Sequence, residues 1–183
     1  MVAALIHWLS PARRSFMRRL ARPALTKFDA RVHEGGSPRA VGFISILLRA
    51  NGDFLAYALS SKGPLARYAA GATPERVEAC LASMLIFAAN LFARDEMRNE
   101  GSDLIPLLAA IVGWEPKQVM LRRDNLRKAP RSEEWMLYLW LVTDLGGERP
   151  GYDAELERGF GYNYLSYIGQ FRAVLEREAA QPQ

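Results

Sequence analysis

Residues 73–99 read TPERVEACLASMLIFAANLFARDEMRN, and this stretch decides the fold. Thr73 and Pro74 suit the N-cap and the first turn of a helix, and Glu75 follows near the positive end of the helix dipole. Apolar residues then lie on nearly every side of the helix, at Leu81, Met84, Leu85, Ile86, Phe87, Leu91 and Phe92. Because a helix that is apolar all round is buried, residues 74–99 are predicted to form the central helix of a bundle.

Capping and stop signals on either side of this helix predict further helices. Starts are indicated at Pro11, Pro116, Ser132 and Asp153, and stops at Gly113 and Gly146-Gly147. Pro23 is expected to kink or divide the first helix. We therefore predict an all-α, single-domain bundle of six to seven helices. Its basic amphipathic N-terminal helical arm spans residues 1–34, its body 38–178 and its polar tail 179–183.

Residues 41–60 are ambiguous between helix and strand. Asn51-Gly52 lies between two apolar runs, which is the strongest short-range signal for a β-hairpin. Neither run alternates cleanly between polar and apolar residues, and a lone hairpin needs another surface to pack on. Two helices joined at Asn51-Gly52 are therefore the favoured prediction, and a small hairpin at 41–60 is the alternative.

The positive charge is concentrated in two short segments. The chain carries 24 Lys and Arg against 20 Asp and Glu, a formal net charge of +4. Residues 1–28 contain six basic and no acidic residues, and residues 116–131 contain six basic residues and one acidic residue. The rest of the chain is consequently acidic. The candidate residues for binding a partner or nucleic acid are Arg13, Arg14, Arg18, Arg19, Arg22, Lys117, Arg122, Arg123, Arg127, Lys128 and Arg131.

Residues 105–123 have the spacing of a helix-turn-helix motif. Ala109, Gly113 and Val119 occupy its small, glycine and apolar positions. Arg122 departs from the motif, because the position three residues after Val119 should be apolar. A basic, solvated corner of an ordinary bundle is therefore the favoured interpretation, and a degenerate nucleic-acid-binding motif that uses the basic residues of 117–131 is the alternative.

The N-terminal arm has three interpretations. Its apolar and basic residues suit contact with an anionic membrane surface, and its arginines suit a phosphate backbone. The favoured interpretation is that the apolar face packs on the body or on another protein, with the arginines left in solvent. No transmembrane segment is predicted, because the longest uncharged apolar run, residues 81–93, is too short to cross a bilayer.

The aromatic residues near the C-terminus are a candidate ligand groove or a part of the core. Residues 152–171 contain Phe160, Tyr162, Tyr164 and Tyr167, with Gly159, Gly161 and Gly169 between them. Aromatic residues at helical spacing usually pack in a core, so the core interpretation is favoured.

Candidate catalytic residues are few. His7 and His33 lie far apart and have no Cys or His partners at metal-ligand spacing, so neither a metal nor a cofactor is predicted. Cys80 lies on the apolar central helix, where a buried, unreactive thiol is expected. A single cysteine cannot form an intrachain disulfide, which favours a reducing, cytoplasmic location.

The sequence thus favours a non-enzymatic interaction protein, an adaptor or an assembly subunit. Its basic arm and an apolar-aromatic helical surface would bind a protein partner or a second copy of the chain. Binding to nucleic acid through residues 105–123 is the alternative function, and peripheral contact with an anionic membrane is the alternative location.

Overall fold

A computed structural model of the chain describes residues 11–35, 38–96, 104–127 and 132–179, with side chains at all of these except 12–13, 38–40, 92–96, 125–127 and 171–179. The described residues form eight α-helices and no strand. The helices are α1 (Pro11–Phe16), α2 (Arg22–Gly35), α3 (Pro38–Ala58), α4 (Pro74–Glu96), α5 (Leu104–Val112), α6 (Pro116–Arg127), α7 (Glu133–Asp144) and α8 (Ala154–Ala179). A π-helical turn, Met17–Ala21, joins α1 to α2, and a 3-10 helix, Ala66–Gly71, precedes α4.

The prediction of an all-α bundle around a central helix is confirmed. Every residue from 80 to 89 of α4 is buried. Around α4 the other helices contact one another in the order α2, α3, α8, α7, α6, α5, and α5 contacts α2 again. This closed ring surrounds the apolar middle of α4 and places α2 and α7 three positions apart, on opposite sides of it. The helices number eight because the first helical segment consists of α1 and α2.

Residues 41–60 form neither a hairpin nor two helices joined at Asn51-Gly52, because both residues lie inside α3. Asn51 is fully buried, and its Oδ1 accepts a hydrogen bond of 2.8 Å from the Tyr164 hydroxyl of α8. Gly52 packs against α2, where a Cβ atom would lie 2.8 Å from Cδ1 of Leu25. A distant hydrogen bond and a close helix contact therefore override the local turn signal.

A π turn directly before Pro23 interrupts the first helix, and helical structure continues on both sides of it. The Arg22 N–H donates to the carbonyl of Met17, five residues earlier, which is the hydrogen bond of a π turn. This turn lies directly before Pro23, whose ring would crowd the preceding turn of a regular α-helix. The helical segment continues through α2, where Ala24, Phe28 and Val32 are 0–2% exposed in the core. Residues 1–10 of the predicted arm lie outside the described ranges, as do residues 36–37.

The predicted caps of α7 and α8 are confirmed. The Ser132 hydroxyl accepts a 3.2 Å hydrogen bond from the Trp135 N–H, and Asp153 Oδ1 accepts from the Leu156 N–H at 3.1 Å. The chain leaves α7 through Gly146, whose φ of +78° favours glycine. The predicted end of the central helix, at 99–101, lies outside the described ranges.

In the part of the chain that the structure describes, no single helix is both long and apolar enough to cross a membrane. Two helices joined by a sharp bend, Leu104–Val112 and Pro116–Asp124, reach the length and apolar composition of a membrane span only when they are taken together.

Candidate interaction surface

The first candidate surface is a row of arginines on the N-terminal helical segment. Arg14, Arg18 and Arg22, here named the arginine row, are exposed, as is Arg19 beside them. Residues four apart drift by about 40° around an α-helix, and the wider π turn between Met17 and Ala21 reduces that drift. The three arginines therefore follow the helix axis. The ion pairs within the described ranges include no acidic partner for any of them. The Arg13 side chain lies outside the described set.

The helix that carries the row is held against the body by three kinds of contact. Its apolar face contributes Phe28 and Val32, both fully buried, to the core. Lys27 Nζ forms an ion pair of 2.6 Å with Glu78 Oε1 on α4. The Arg31 guanidinium donates to the carbonyl of Ile111 on α5 at 3.0 Å. These contacts tie α2 to α4 and α5, and beneath the row itself Ala21 is fully buried and Phe16, Met17 and Leu20 pack against the core.

The second candidate surface is the corner between α5 and α6. The two helix axes turn through 112° across a short connection, within the range of a helix-turn-helix. Ala109 and Val119 are buried between the helices, and Gly113 has a φ of +72°. A Cβ atom at Gly113 would lie 2.8 Å from the Arg31 guanidinium, so both the backbone conformation and the space favour glycine there. The spacing that suggested the motif therefore does correspond to this local geometry.

Arg122 points inward from this corner, where its side chain is 24% exposed, and pairs with a buried carboxylate. Its Nη2 lies 2.8 Å from Oδ1 of Asp144, a carboxylate that is only 6% exposed. Its Nη1 donates to the Ser83 hydroxyl at 3.0 Å, and that hydroxyl donates to Asp144 Oδ2 at 2.6 Å. The guanidinium also lies over two indole rings, 5.4 Å from Trp114 and 5.2 Å from Trp140. The inward position that should be apolar is thus filled by an arginine with a buried counter-charge, so Arg122 is engaged within the bundle.

Burial governs the protonation of the groups around this ion pair. It raises the pKa of Asp144, while the Arg122 guanidinium and the Ser83 hydroxyl lower that pKa to a smaller extent. Burial, and then the charge of Asp144, raise the pKa of the neighbouring Cys80 thiol well above its ordinary value. Cys80 is therefore a protonated core thiol, in agreement with the unreactive role expected for it. Among the described residues, no group of three His, Cys, Asp or Glu side chains is placed to hold a metal ion.

The outward face of α6 presents fewer unpaired basic side chains than the sequence of the helix suggests. Gln118 accepts a hydrogen bond from the Glu115 N–H at 3.0 Å, which caps the helix. Arg123 lies 3.3 Å from the carboxylate of Asp124. Lys117 is exposed beside two apolar side chains, Met120 at 43% and Leu121 at 54% exposure. The side chain of Arg127 is outside the described set, and Lys128 and Arg131 lie outside the described ranges.

The two basic segments flank a helix without charge. In the ring around α4, α5 lies between α2 and α6, and its sequence LIPLLAAIV contains no charged residue. The described basic residues of α2 and α6 are therefore separated by an apolar helix.

A third candidate surface is an open groove of about 810 Å³ on α7 and α8, here named the α7–α8 groove. Its lining includes Ser132, Glu134, Glu157, Arg158 and Tyr162. Tyr162 is 77% exposed, although its neighbours in sequence Phe160 and Tyr164 are fully buried. Two residues correspond to about 200° around a helix, so Tyr162 faces away from the core.

The core interpretation of the C-terminal aromatic residues is thus confirmed for Phe160 and Tyr164, which pack edge-on against Phe54 of α3. It is wrong for the exposed Tyr162. Its position relative to Phe160 and Tyr164 is the sequence signal that could have separated it from the core set.

A scan against protein-family models, a search of curated proteins and a search of solved structures each found no match.

Proposed function

We propose that the protein is a non-enzymatic interaction protein, an assembly subunit or adaptor, that binds an acidic surface of a protein partner through the arginine row. The observation that carries this proposal is the row itself, three exposed arginines without an acidic partner among the described residues. Arginine pairs with carboxylates in a bidentate manner and is enriched in protein interfaces.

Rigidity of the helix supports the same proposal. Ala21 is fully buried beneath the row, and Phe16, Met17 and Leu20 pack against the core, so the backbone of the row is already ordered before a partner arrives. A preordered surface loses less conformational entropy on binding, which leaves more of the interaction energy for affinity.

The exposed residues of α6 favour a protein over a phosphate backbone as the partner. Nucleic-acid binding depends mainly on free cations, yet Arg122 is paired within the bundle. Met120 and Leu121 are exposed there instead, and flexible apolar side chains of this kind suit protein contacts.

Charge reversal in the row tests the proposal. Arg14→Glu/Arg18→Glu is compared with Lys62→Glu/Arg149→Glu, which changes the net charge equally at two exposed positions outside the row. Each full-length protein is used as bait in extracts of cells that naturally express the wild type. A partner that only the row variant fails to capture is purified, and its affinity for each of the three proteins is measured by titration.

The row variant is expected to bind the purified partner at least tenfold more weakly than the wild type, and the control to bind it like the wild type. Equal binding by both variants would remove the arginine row from the function.

The geometry of the α5–α6 corner supports nucleic-acid binding as a second candidate. Ala109, Gly113 and Val119 have the burial and backbone conformation of a helix-turn-helix, and Lys117 is exposed near the start of the second helix. Titration of duplex DNA, followed by fluorescence anisotropy at low and high salt, tests this candidate.

Lys117→Glu is the suitable variant, with Lys62→Glu as its control. Arg122→Glu is unsuitable, because it would place a second carboxylate against the buried Asp144. Salt-sensitive binding that only Lys117→Glu reduces would support the nucleic-acid function, and no binding at low salt would eliminate it.

A further inference from the structure

The α7–α8 groove has the shape and charge to receive cationic side chains. Gly159 leaves open space on α8, since a Cβ atom there would meet nothing within 4 Å. Gly161 brings α8 close to α7, where a Cβ atom would lie 3.0 Å from Cβ of Glu134. Both glycines line the groove, together with Glu134 and Tyr162.

Two carboxylates give the groove its charge. Glu134 lines it from α7, and Glu157 lines it from α8. Glu157 accepts hydrogen bonds from the hydroxyls of Ser132 and Tyr152, which fix its position. Arg158 is the one basic residue of the lining, and its Nε donates to the carbonyl of Ala154 on its own helix at 3.2 Å.

Two further acidic residues, Glu133 and Glu155, lie within two positions of these carboxylates in the sequence. The exposed ring of Tyr162 offers a face on which a guanidinium can stack. The carboxylate of Glu134 offers the same guanidinium a bidentate partner.

The arginine row is the matching surface on the same chain, and it faces elsewhere. The segment that carries the row makes its main tertiary contacts with α3, α4 and α5, whereas the groove lies on α7 and α8. Of the row, Arg22 lies at the start of α2, and in the ring α7 is on the far side of α4 from α2. A row and a groove that face different sides of one molecule meet when two molecules associate.

We propose that the α7–α8 groove binds the arginine row of a second copy of this chain, so that the protein assembles head to tail. This inference rests on the proposed function, because it names the acidic partner of the row. An interface between two different surfaces leaves one free row and one free groove on each dimer, and such interfaces continue into rings or filaments. Because the contact pairs guanidinium groups with carboxylates at exposed sites, salt weakens it.

Sedimentation velocity of the full-length protein over a range of concentrations tests the proposal at low and high salt. The wild type is expected to grow in mass with concentration at low salt and to dissociate at high salt. Arg14→Glu/Arg18→Glu removes the row, and Glu134→Gln removes a groove charge while keeping the shape of the side chain. Glu148→Gln, at an exposed position outside the groove lining, is the matched control.

The row and groove variants are each expected to associate at least tenfold more weakly than the wild type, and Glu148→Gln to associate like it. Tyr162→Ala is expected to weaken association, and Tyr162→Phe to retain it, since phenylalanine keeps an aromatic face. Circular dichroism confirms that each variant is folded.

Mixing Arg14→Glu/Arg18→Glu with Glu134→Lys gives the most specific result. The first protein has only an intact groove and the second only an intact row, so an equimolar mixture is expected to form dimers that grow no further. Each protein alone is expected to remain monomeric.

A monomeric wild type at every concentration, or equal association by Glu134→Gln and Glu148→Gln, would overturn the inference. If the row variant then loses a different acidic protein that Glu134→Gln still binds, the proposed function stands without self-assembly. If the row variant loses no partner either, both proposals fail.

Discussion

Arg18 and Arg122 belong to the two basic segments of the chain, and their surroundings are opposite. Arg18 lies on the exposed face of the N-terminal helical segment, and none of the described ion pairs includes it. Arg122 lies between two indole rings and pairs with Asp144, whose carboxylate is 6% exposed. The same side chain is therefore available for a partner in one segment and engaged in the bundle in the other.

This difference shows that local net charge does not identify a binding surface. A cation turned outward keeps its hydration and its donors for another molecule. A cation turned inward needs a counter-charge from its own chain, because an unpaired charge in the interior is costly.

Phe28→Ala is expected to lower the free energy of unfolding by about 3–5 kcal/mol, because it leaves a cavity under the helix that carries the row. Urea unfolding followed by circular dichroism measures the loss. Met120→Ala, at an exposed position, is the control and should change little. A loss below about 1 kcal/mol for Phe28→Ala would contradict a firmly packed helix.

Because Phe28 and Val32 are part of the core, deleting residues 1–33 would open the core. Point variants are therefore the appropriate test of this segment.

Arg122→Met is expected to cost roughly 3 kcal/mol, because it leaves the buried Asp144 without its counter-charge. Arg122→Met/Asp144→Leu removes both charges and should recover most of the loss, since an apolar pair replaces the ion pair. The urea midpoints of the two single variants and the double variant measure the coupling. Additive losses in the double variant would show that Arg122 and Asp144 do not act as a pair.

Gly113→Ala is expected to cost about 1–2 kcal/mol, because alanine is disfavoured at a φ of +72° and its Cβ would meet the Arg31 guanidinium. Gly42→Ala is the matched control, since Gly42 lies on an exposed face of α3 with nothing within 4 Å of the new methyl group. That substitution should be neutral or stabilising. Equal effects at the two glycines, measured by thermal unfolding, would argue against the close contact between α2 and the α5–α6 turn.

The stability of Arg122→Met is expected to depend on pH through Asp144. Burial already raises the pKa of this carboxyl in the folded protein, and removal of the guanidinium raises it further. The folded state then binds the proton more tightly than the unfolded state, so the free energy of unfolding increases as pH falls through the folded pKa.

Relative to Arg122→Met/Asp144→Asn, which cannot titrate there, Arg122→Met should become more stable as the pH is lowered from 7. An unchanged difference between these two proteins would mean that Asp144 does not take up the proton.

Much of the fold follows from local sequence signals, and the exceptions depend on distant partners. The caps at Ser132 and Asp153 act over three residues, so they can be recognised from sequence alone. Asn51-Gly52 remains helical because Tyr164, 113 residues away, bonds to Asn51, and because Leu25 packs on Gly52. No local pattern contains that information.

The candidate sites divide in the same way. The arginine row could be predicted, because residues at a spacing of four share a helix face whatever the fold around them. The role of Arg122 could not be predicted from the sequence, because it depends on Asp144 and Ser83, which two other helices supply. Its unexpected charge at an inward position of the motif was the available signal, and a buried counter-charge explains it.

Charge reversal at Arg18 and at Arg122, measured by urea unfolding under one set of conditions, tests whether the first side chain is exposed without a partner and the second is engaged within the bundle. Arg18→Glu should stay within about 0.5 kcal/mol of the wild type, as expected for an exposed side chain without a partner. Arg122→Glu should lose roughly 3 kcal/mol or more, or fail to fold, because it sets two carboxylates against each other at a buried site. Equal losses at the two positions would contradict the assignment of Arg18 to the surface and of Arg122 to an ion pair within the bundle.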